Sequence, residues 1–274
     1  MADYDAIVVG AGHNGLAAAS VLSKNGLRVL VVEKTNWPGG MAGTKELFKG
    51  YKHSVGAWAL LIFREEMLKL LELDRYGLEL ITPRTNYCVF GTPGAAPFVG
   101  YSDKMEMAEH VMKDHGPDAV QSLAGLVQYL QVFKGVMDRN FLKPPEPLEA
   151  MIAGAPDAET REILLTLFHG SAVEVIRKFF TDPERHPHIQ GSLSASAIDG
   201  THMGPYTPGS ALSLAYHYTA GDEYDFKIPK GGIGAFSGAL IKALERHSGE
   251  VQYKTQVKRL LLEDGKAVGV ELRN

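Results

Sequence analysis

The chain carries one cysteine, Cys88, among 274 residues. A single thiol excludes an internal disulfide, a CxxC redox pair and a cysteine-rich zinc cage. A basic surplus is missing too: 28 Lys and Arg against 32 Asp and Glu leave a net charge of −4. That balance gives no electrostatic footprint for a nucleic-acid partner. No apolar run reaches membrane-spanning length, and no basic stretch precedes an apolar one at the N-terminus as in a secretory signal. The lone thiol and the lack of a signal lead to the expectation of a reducing, cytoplasmic setting. What remains is globular in kind. With 45% hydrophobic and 22% charged residues, the chain can form one large or two ordinary domains, each with a core.

Against these absences stands a glycine pattern, "AIVVGAGHNGLAAASVLSKNGLRVLVVEKTNWPGG", from Ala6 to Gly40. Ala6 to Val9 is a short apolar run, as in a parallel strand. Gly10 allows a tight turn out of it, Gly12 a close approach of backbone to a pyrophosphate, and Gly15 close packing of the next helix. That helix is expected over Asn14 to Asn25, with Gly26 as its C-terminal stop. Its N-terminus offers free N–H groups and the positive dipole end to phosphates. A second strand, Val29 to Val32, ends at Glu33, eighteen residues beyond Gly15, where a ribose-binding acid belongs. Strand, helix, strand and acid in register are the context this motif requires. An acid at 33 also opposes a 2′-phosphate.

The continuation, "KTNWPGGMAGT", has a Pro-Gly-Gly turn where a plain NAD domain usually starts another helix. Such a turn exposes backbone amides along which a pyrophosphate and a ribityl chain can lie. A bare surface turn is the other reading of Gly39-Gly40.

These stretches, with "GYKHSVGAW" (Gly50 to Trp58), "YTPGSAL" (Tyr206 to Leu212) and "IPKGGIGAFSGALIKAL" (Ile228 to Leu244), resemble the phytoene desaturase and carotene ketolase-like flavoproteins. The resemblance implies an α/β fold, a doubly wound Rossmann-like FAD-binding domain interrupted by a mostly helical substrate domain. The expected segments are 1–60 and 226–274 for the FAD domain, and 61–225 for the helical one. It further implies FAD lined by Gly10, Gly12, Gly15, Glu33, Gly39, Gly40 and Thr44, with Val257 against the adenine. Met41 departs from the family, whose members often place arginine there. The implied activity is FAD-dependent oxidation, of dehydrogenase or desaturase type, of an apolar carotenoid- or lipid-like molecule. Peripheral membrane contact is an accompanying expectation. Members of the family usually continue for another half, so the chain is expected to be a front half with an apolar face open to self-association or a second polypeptide. Two other functions stay open: an NAD-dependent dehydrogenase, and a flavin-binding interaction protein without turnover.

Between the two FAD segments, helices are expected at Arg64–Leu73, Asp103–His115, Pro117–Lys134, Glu159–His169, Ser171–Phe180 and Pro183–Ala197. Strands are expected at Leu78–Ile81 and Tyr87–Phe90, with Cys88 as a small buried hydrophobe. "LKPPEPLEA" reads as a rigid connector. His186 and His188 flank a proline with no cysteine or carboxylate cluster beside them, so they read as surface or helix-start residues and not as metal ligands. His202, Tyr206, His217 and Tyr218 stand among small and apolar residues. They could line an apolar tunnel or belong to an ordinary packed core. No nucleophile or acid–base residue stands out, so no catalytic residue is assigned. A flavin would carry the hydride chemistry itself.

Overall fold

Four apolar residues, Ala6–Val9, form the first strand (β1), and Val29–Val32 form the second (β2), parallel to it with Val8 opposite Val31. The computed structural model describes residues 3–61, 63–91, 94–140, 143–219 and 227–273. Between β1 and β2 runs helix α1, His13–Lys24, closed at Asn25 and followed by Gly26 with φ of +87°. Next come an antiparallel hairpin, β3 (Thr44–Phe48) and β4 (Tyr51–Ser54), the short helix α2 (Glu65–Leu71) and strand β5 (Leu80–Ile81).

Residues Pro83–Asp225 form a unit of their own. It opens with an antiparallel pair, β6 (Thr85–Val89) and β7 (Phe98–Tyr101), and continues through α3 (Lys104–Asp114) and α4 (Pro117–Asn140). Five more helices follow: α5 (Leu148–Ala153), α6 (Ala158–His169), α7 (Ala172–Phe179), α8 (Pro187–Ile198) and α9 (Ser210–Thr219). Their starts have local causes. Asp103, Asp157 and Ser171 each accept a hydrogen bond from the backbone N–H three residues on, and Ser171 with Glu174 completes a capping box. Helix α8 begins at Pro187, four residues later than the sequence suggests. His186 is left-handed (φ 55°), and proline suits a first helical position. Helix α9 sits at the centre. Its small Ala211 and Ala215 let neighbours approach, and Leu214 packs with Leu126 and Leu130 of α4, Leu167 of α6 and Leu193 of α8 in one buried cluster. Cys88 corrects an expectation: in the two-stranded β6–β7 pair it is exposed, while its neighbour Val89 packs on the core.

The chain then returns to the first unit through β8 (Ile228–Pro229), which pairs with β5, and α10 (Gly234–Arg246). Strand β9 (Glu250–Gln252) adds to β2 in parallel, giving the sheet order β1-β2-β9. Strands β10 (Val257–Glu263) and β11 (Lys266–Leu272) form a hairpin turned at Asp264-Gly265. Two right-handed crossovers moving the same way along the sheet put α1 and α10 on one face. There they touch, with Ser20 Oγ donating to the Leu240 carbonyl at 3.0 Å. Leu16, Ala19, Val29, Val31, Phe236 and Leu240 fill the space between. This is a Rossmann-like α/β domain interrupted by a mostly helical one.

The first junction lies at Thr82/Pro83 and not at 60/61. Leu71, Leu73 and Leu78 belong to the same buried cluster as Leu16 and Leu240, so the 61–82 segment packs with the sheet unit. The second junction expected, 225/226, lies outside the described residues.

Candidate nucleotide-binding site

The turn after β1 holds three glycines with different reasons for being glycine. The Gly10 N–H donates to the Val32 carbonyl at 2.8 Å, and φ of +100° puts that residue in a region side chains avoid. On Gly15, a Cβ would stand 2.2 Å from the Gly10 carbonyl oxygen, so α1 could not lie this close to the turn. Gly12 is the opposite case. Its φ of −69° and ψ of 165° suit any residue, and a Cβ there would meet nothing within 4 Å. Bare backbone faces open space at the start of α1. No side chain caps that helix and no acid lies in its first turn, so its first N–H groups have no side-chain partner.

The second glycine turn lies directly against the first. Gly39 N–H donates to the Ala11 carbonyl at 2.7 Å, and Gly39 bridges Gly12 in parallel fashion. A Cβ on Gly39 would be 2.7 Å from both the Ala42 oxygen and Ser237 Oγ, and one on Gly40 would be 3.3 Å from Gly12 Cα. Ser237 of α10, which donates to the Ala42 carbonyl at 2.7 Å, pins this turn. Sequence reasoning missed that contact, because a serine inside a helix carries no local signal of it.

Glu33 ends β2 and is 8% exposed. Its carboxylate accepts the Ala11 N–H and the Thr35 N–H, both at 2.8 Å. Burial alone would raise its pKa, but the N–H groups of Thr35 and Ala11 outweigh burial and hold it below the ordinary carboxylate value. Each oxygen has one further lone pair for a donor. Thr44 makes a contact that the sequence does not reveal. Its Oγ1 accepts the Gly234 N–H at 2.8 Å and so caps α10. Val257 is half-buried and opens β10 two residues past Thr255, whose N–H donates to the Glu33 carbonyl at 2.8 Å. Gly10, Gly12, Gly15, Gly39, Gly40 and Glu33 are therefore brought together in one cradle. Thr44 follows the Gly39-Gly40 turn by four residues and ties it to α10, and Val257 lies two residues past Thr255.

The helical unit contains a cavity of about 650 Å³, within the range of small-molecule sites. Phe133, Val136, Met151 and Phe168 line it, with Met203, Leu212 and Tyr216 from the stretch that holds His202 and His217. His202 and Tyr206 are exposed instead, and Tyr218 packs on the core. His217 bonds the Ser213 carbonyl through Nδ1 at 3.0 Å. His186 bonds Asp118 at 2.7 Å.

A Gly-rich turn feeding an uncapped helix, and an acid at the end of the second strand, define a Rossmann-like nucleotide-binding domain. The family model described as "NAD(P)-binding Rossmann-like domain" matches residues 8–72. The chain is homologous over nearly all of its length to three named proteins. It is 26% identical to rat pyridine nucleotide-disulfide oxidoreductase domain-containing protein 2, covering 99% of this chain and 51% of the relative. To the chloroplastic prolycopene isomerase of Daucus carota it is 28% identical, over 99% of this chain and 44% of the relative. A phytoene desaturase of Cercospora nicotianae is 29% identical, over 98% of this chain and 42% of the relative. The chain thus spans about half the length of the curated relatives it matches.

Proposed function

We propose that the cradle holds FAD and that the protein is an FAD-dependent oxidoreductase acting on an apolar, carotenoid- or lipid-like substrate. One observation carries the cofactor reading. Gly12 has room for a side chain and a backbone that would accept one, so its bareness serves something outside the chain. The N–H groups at the start of α1 would bind the pyrophosphate. Glu33, held ionised by Ala11 and Thr35, would accept a ribose hydroxyl on its remaining lone pairs. Bound FAD would supply the acceptor for hydride or electrons. The second turn at Gly39-Gly40, set against Gly12, favours FAD. The description of the matching family model favours a nicotinamide dinucleotide, which is the second reading.

The apolar substrate rests on the cavity of the helical unit, which offers almost no polar atoms, and on the homologues named for prolycopene and phytoene.

Titration with FAD and with NAD, followed by flavin fluorescence and by calorimetry, tests the cradle. FAD should bind and NAD should not. Gly12→Val should abolish FAD binding while far-UV circular dichroism stays unchanged. Glu33→Ala should weaken it by about 1.5–3 kcal/mol, roughly tenfold or more. Full FAD affinity in a folded Gly12→Val protein would overturn the proposal.

A further inference from the structure

We propose that the β3–β4 hairpin is a lipid-facing element that seats this protein on an anionic membrane surface. The tip projects three large apolar side chains: Phe48 is 70% exposed, Tyr51 68% and Leu47 55%. Phe48 and Tyr51 are directly paired across the two strands, so both lie on one face. The His53 ring meets Phe48 edge-on, with centroids 6.2 Å apart. A hairpin tip in water is ordinarily polar, and here three large apolar residues in five positions are exposed.

The charge around this surface is predominantly positive. Lys45, Lys49 and Lys52 flank the apolar residues, and Glu46 is the one acid between Thr44 and Ser54. Glu46 is exposed and its carboxylate accepts the Gly50 N–H at 2.8 Å, so lysines outnumber acids three to one along the hairpin. Lys45 is steadied over the Trp37 ring, with Nζ 4.7 Å from its centroid. The chain as a whole has a net charge of −4, so a cationic patch here runs against the overall balance. A protein partner of acidic character would need a complementary pocket for Phe48 and Leu47. A bilayer needs none: its interface takes aromatic and aliphatic side chains to headgroup depth, and anionic headgroups attract lysines nearby. Apolar tip, tyrosine and lysine collar together match that interface. This inference does not depend on the FAD reading.

Flotation of the full chain with phosphatidylcholine vesicles, with and without phosphatidylserine, tests it. The chain should float with the phosphatidylserine vesicles, weakly with phosphatidylcholine alone, and less as salt rises. The double variant Leu47→Ser/Phe48→Ser should lose about tenfold in partitioning, and Lys49→Glu should lose a similar amount on the anionic vesicles only. Both changes lie on exposed positions, and circular dichroism confirms that the variants fold. Phe48→Trp, adding an indole at the tip, should be quenched by bromine-labelled lipid. The proposal is overturned by no binding, by equal binding of wild type and double variant, by equal affinity for both vesicle types, or by an unquenched Phe48→Trp. It is equally overturned if light scattering shows that the tip drives self-association in place of lipid binding.

Discussion

Three helices of the helical unit begin differently from α1 of the sheet unit. In the helical unit, α3, α6 and α7 each carry an Asp or Ser whose side chain accepts a backbone N–H of the first turn. In the sheet unit, α1 has glycine at that position and no side-chain cap. Glycine in place of a capping side chain costs about a few tenths of a kcal/mol, and α1 nonetheless carries the buried face that joins strand to helix. The same contrast separates Gly12 from Gly15, three residues apart. Gly15 is required by the fold and Gly12 is not. Where local stability is forgone without a packing reason, the freed groups are available to a ligand. The helical unit forgoes none of it at these three helix starts and offers an apolar cavity instead.

The two units can be followed separately. Both tryptophans, Trp37 and Trp58, lie in the sheet unit, whereas most helical residues lie in the other. Tryptophan fluorescence and the 222 nm dichroism therefore report on different regions.

The largest effect is expected from Gly15→Val. Pressing a branched side chain against the Gly10 carbonyl should cost more than about 3 kcal/mol and remove the cooperative fluorescence transition in urea. Equal loss of the dichroism signal would show that the two units unfold as one.

Leu130→Ala is the mirror experiment. Leu130 is wholly buried beside Leu126 and Leu214, and its truncation should cost about 3 kcal/mol. The dichroism midpoint should move and the fluorescence midpoint should not.

Acid should separate the units next. His115 has a buried Nε2 without a hydrogen-bond partner and faces Phe98, His110 and His186. Burial, and then the neighbouring His110, push its pKa below the ordinary 6.5, with the Pro97 carbonyl and then Asp114 pulling the other way. Its folded value being lowered, its contribution is complete above pH 6.5 and is lost as pH falls toward the folded value. Glu33, also lowered, keeps its contribution until pH drops below the ordinary 4.5. Stability by dichroism should begin to fall at higher pH than stability by fluorescence, and His115→Phe should delay the first fall. Coincident acid profiles in wild type would break this comparison.

The smallest effect belongs to Ser171→Ala, which opens the capping box of α7 and should cost about 1 kcal/mol by dichroism alone. Restoring the midpoint with Ser171→Asp would identify the cap, and not packing, as the cause.

Several elements are legible in the sequence to within a residue: β1, β2, and the starts of α3 at Asp103 and of α7 at Ser171. Each depends on neighbours a few positions away, through apolar runs or a cap, and such interactions are written in local order. The three glycines and Glu33 were legible for the same reason, since a strand, a helix and their turn form one continuous stretch.

What only the tertiary structure decided lies between residues far apart in the chain. Thr44 caps α10 from 190 residues away, β9 returns to lie beside β2, and Leu71, Leu73 and Leu78 pack with the sheet unit. Tyr216 lines the cavity where His217, one position on, turns to its own helix backbone. The difference between Gly12 and Gly15 is of this kind too: both are glycine in the motif, and only the distance to the Gly10 carbonyl tells them apart. Local pattern specifies which groups a residue offers. Which distant group meets them depends on how helices and strands pack, and that geometry belongs to the folded chain alone.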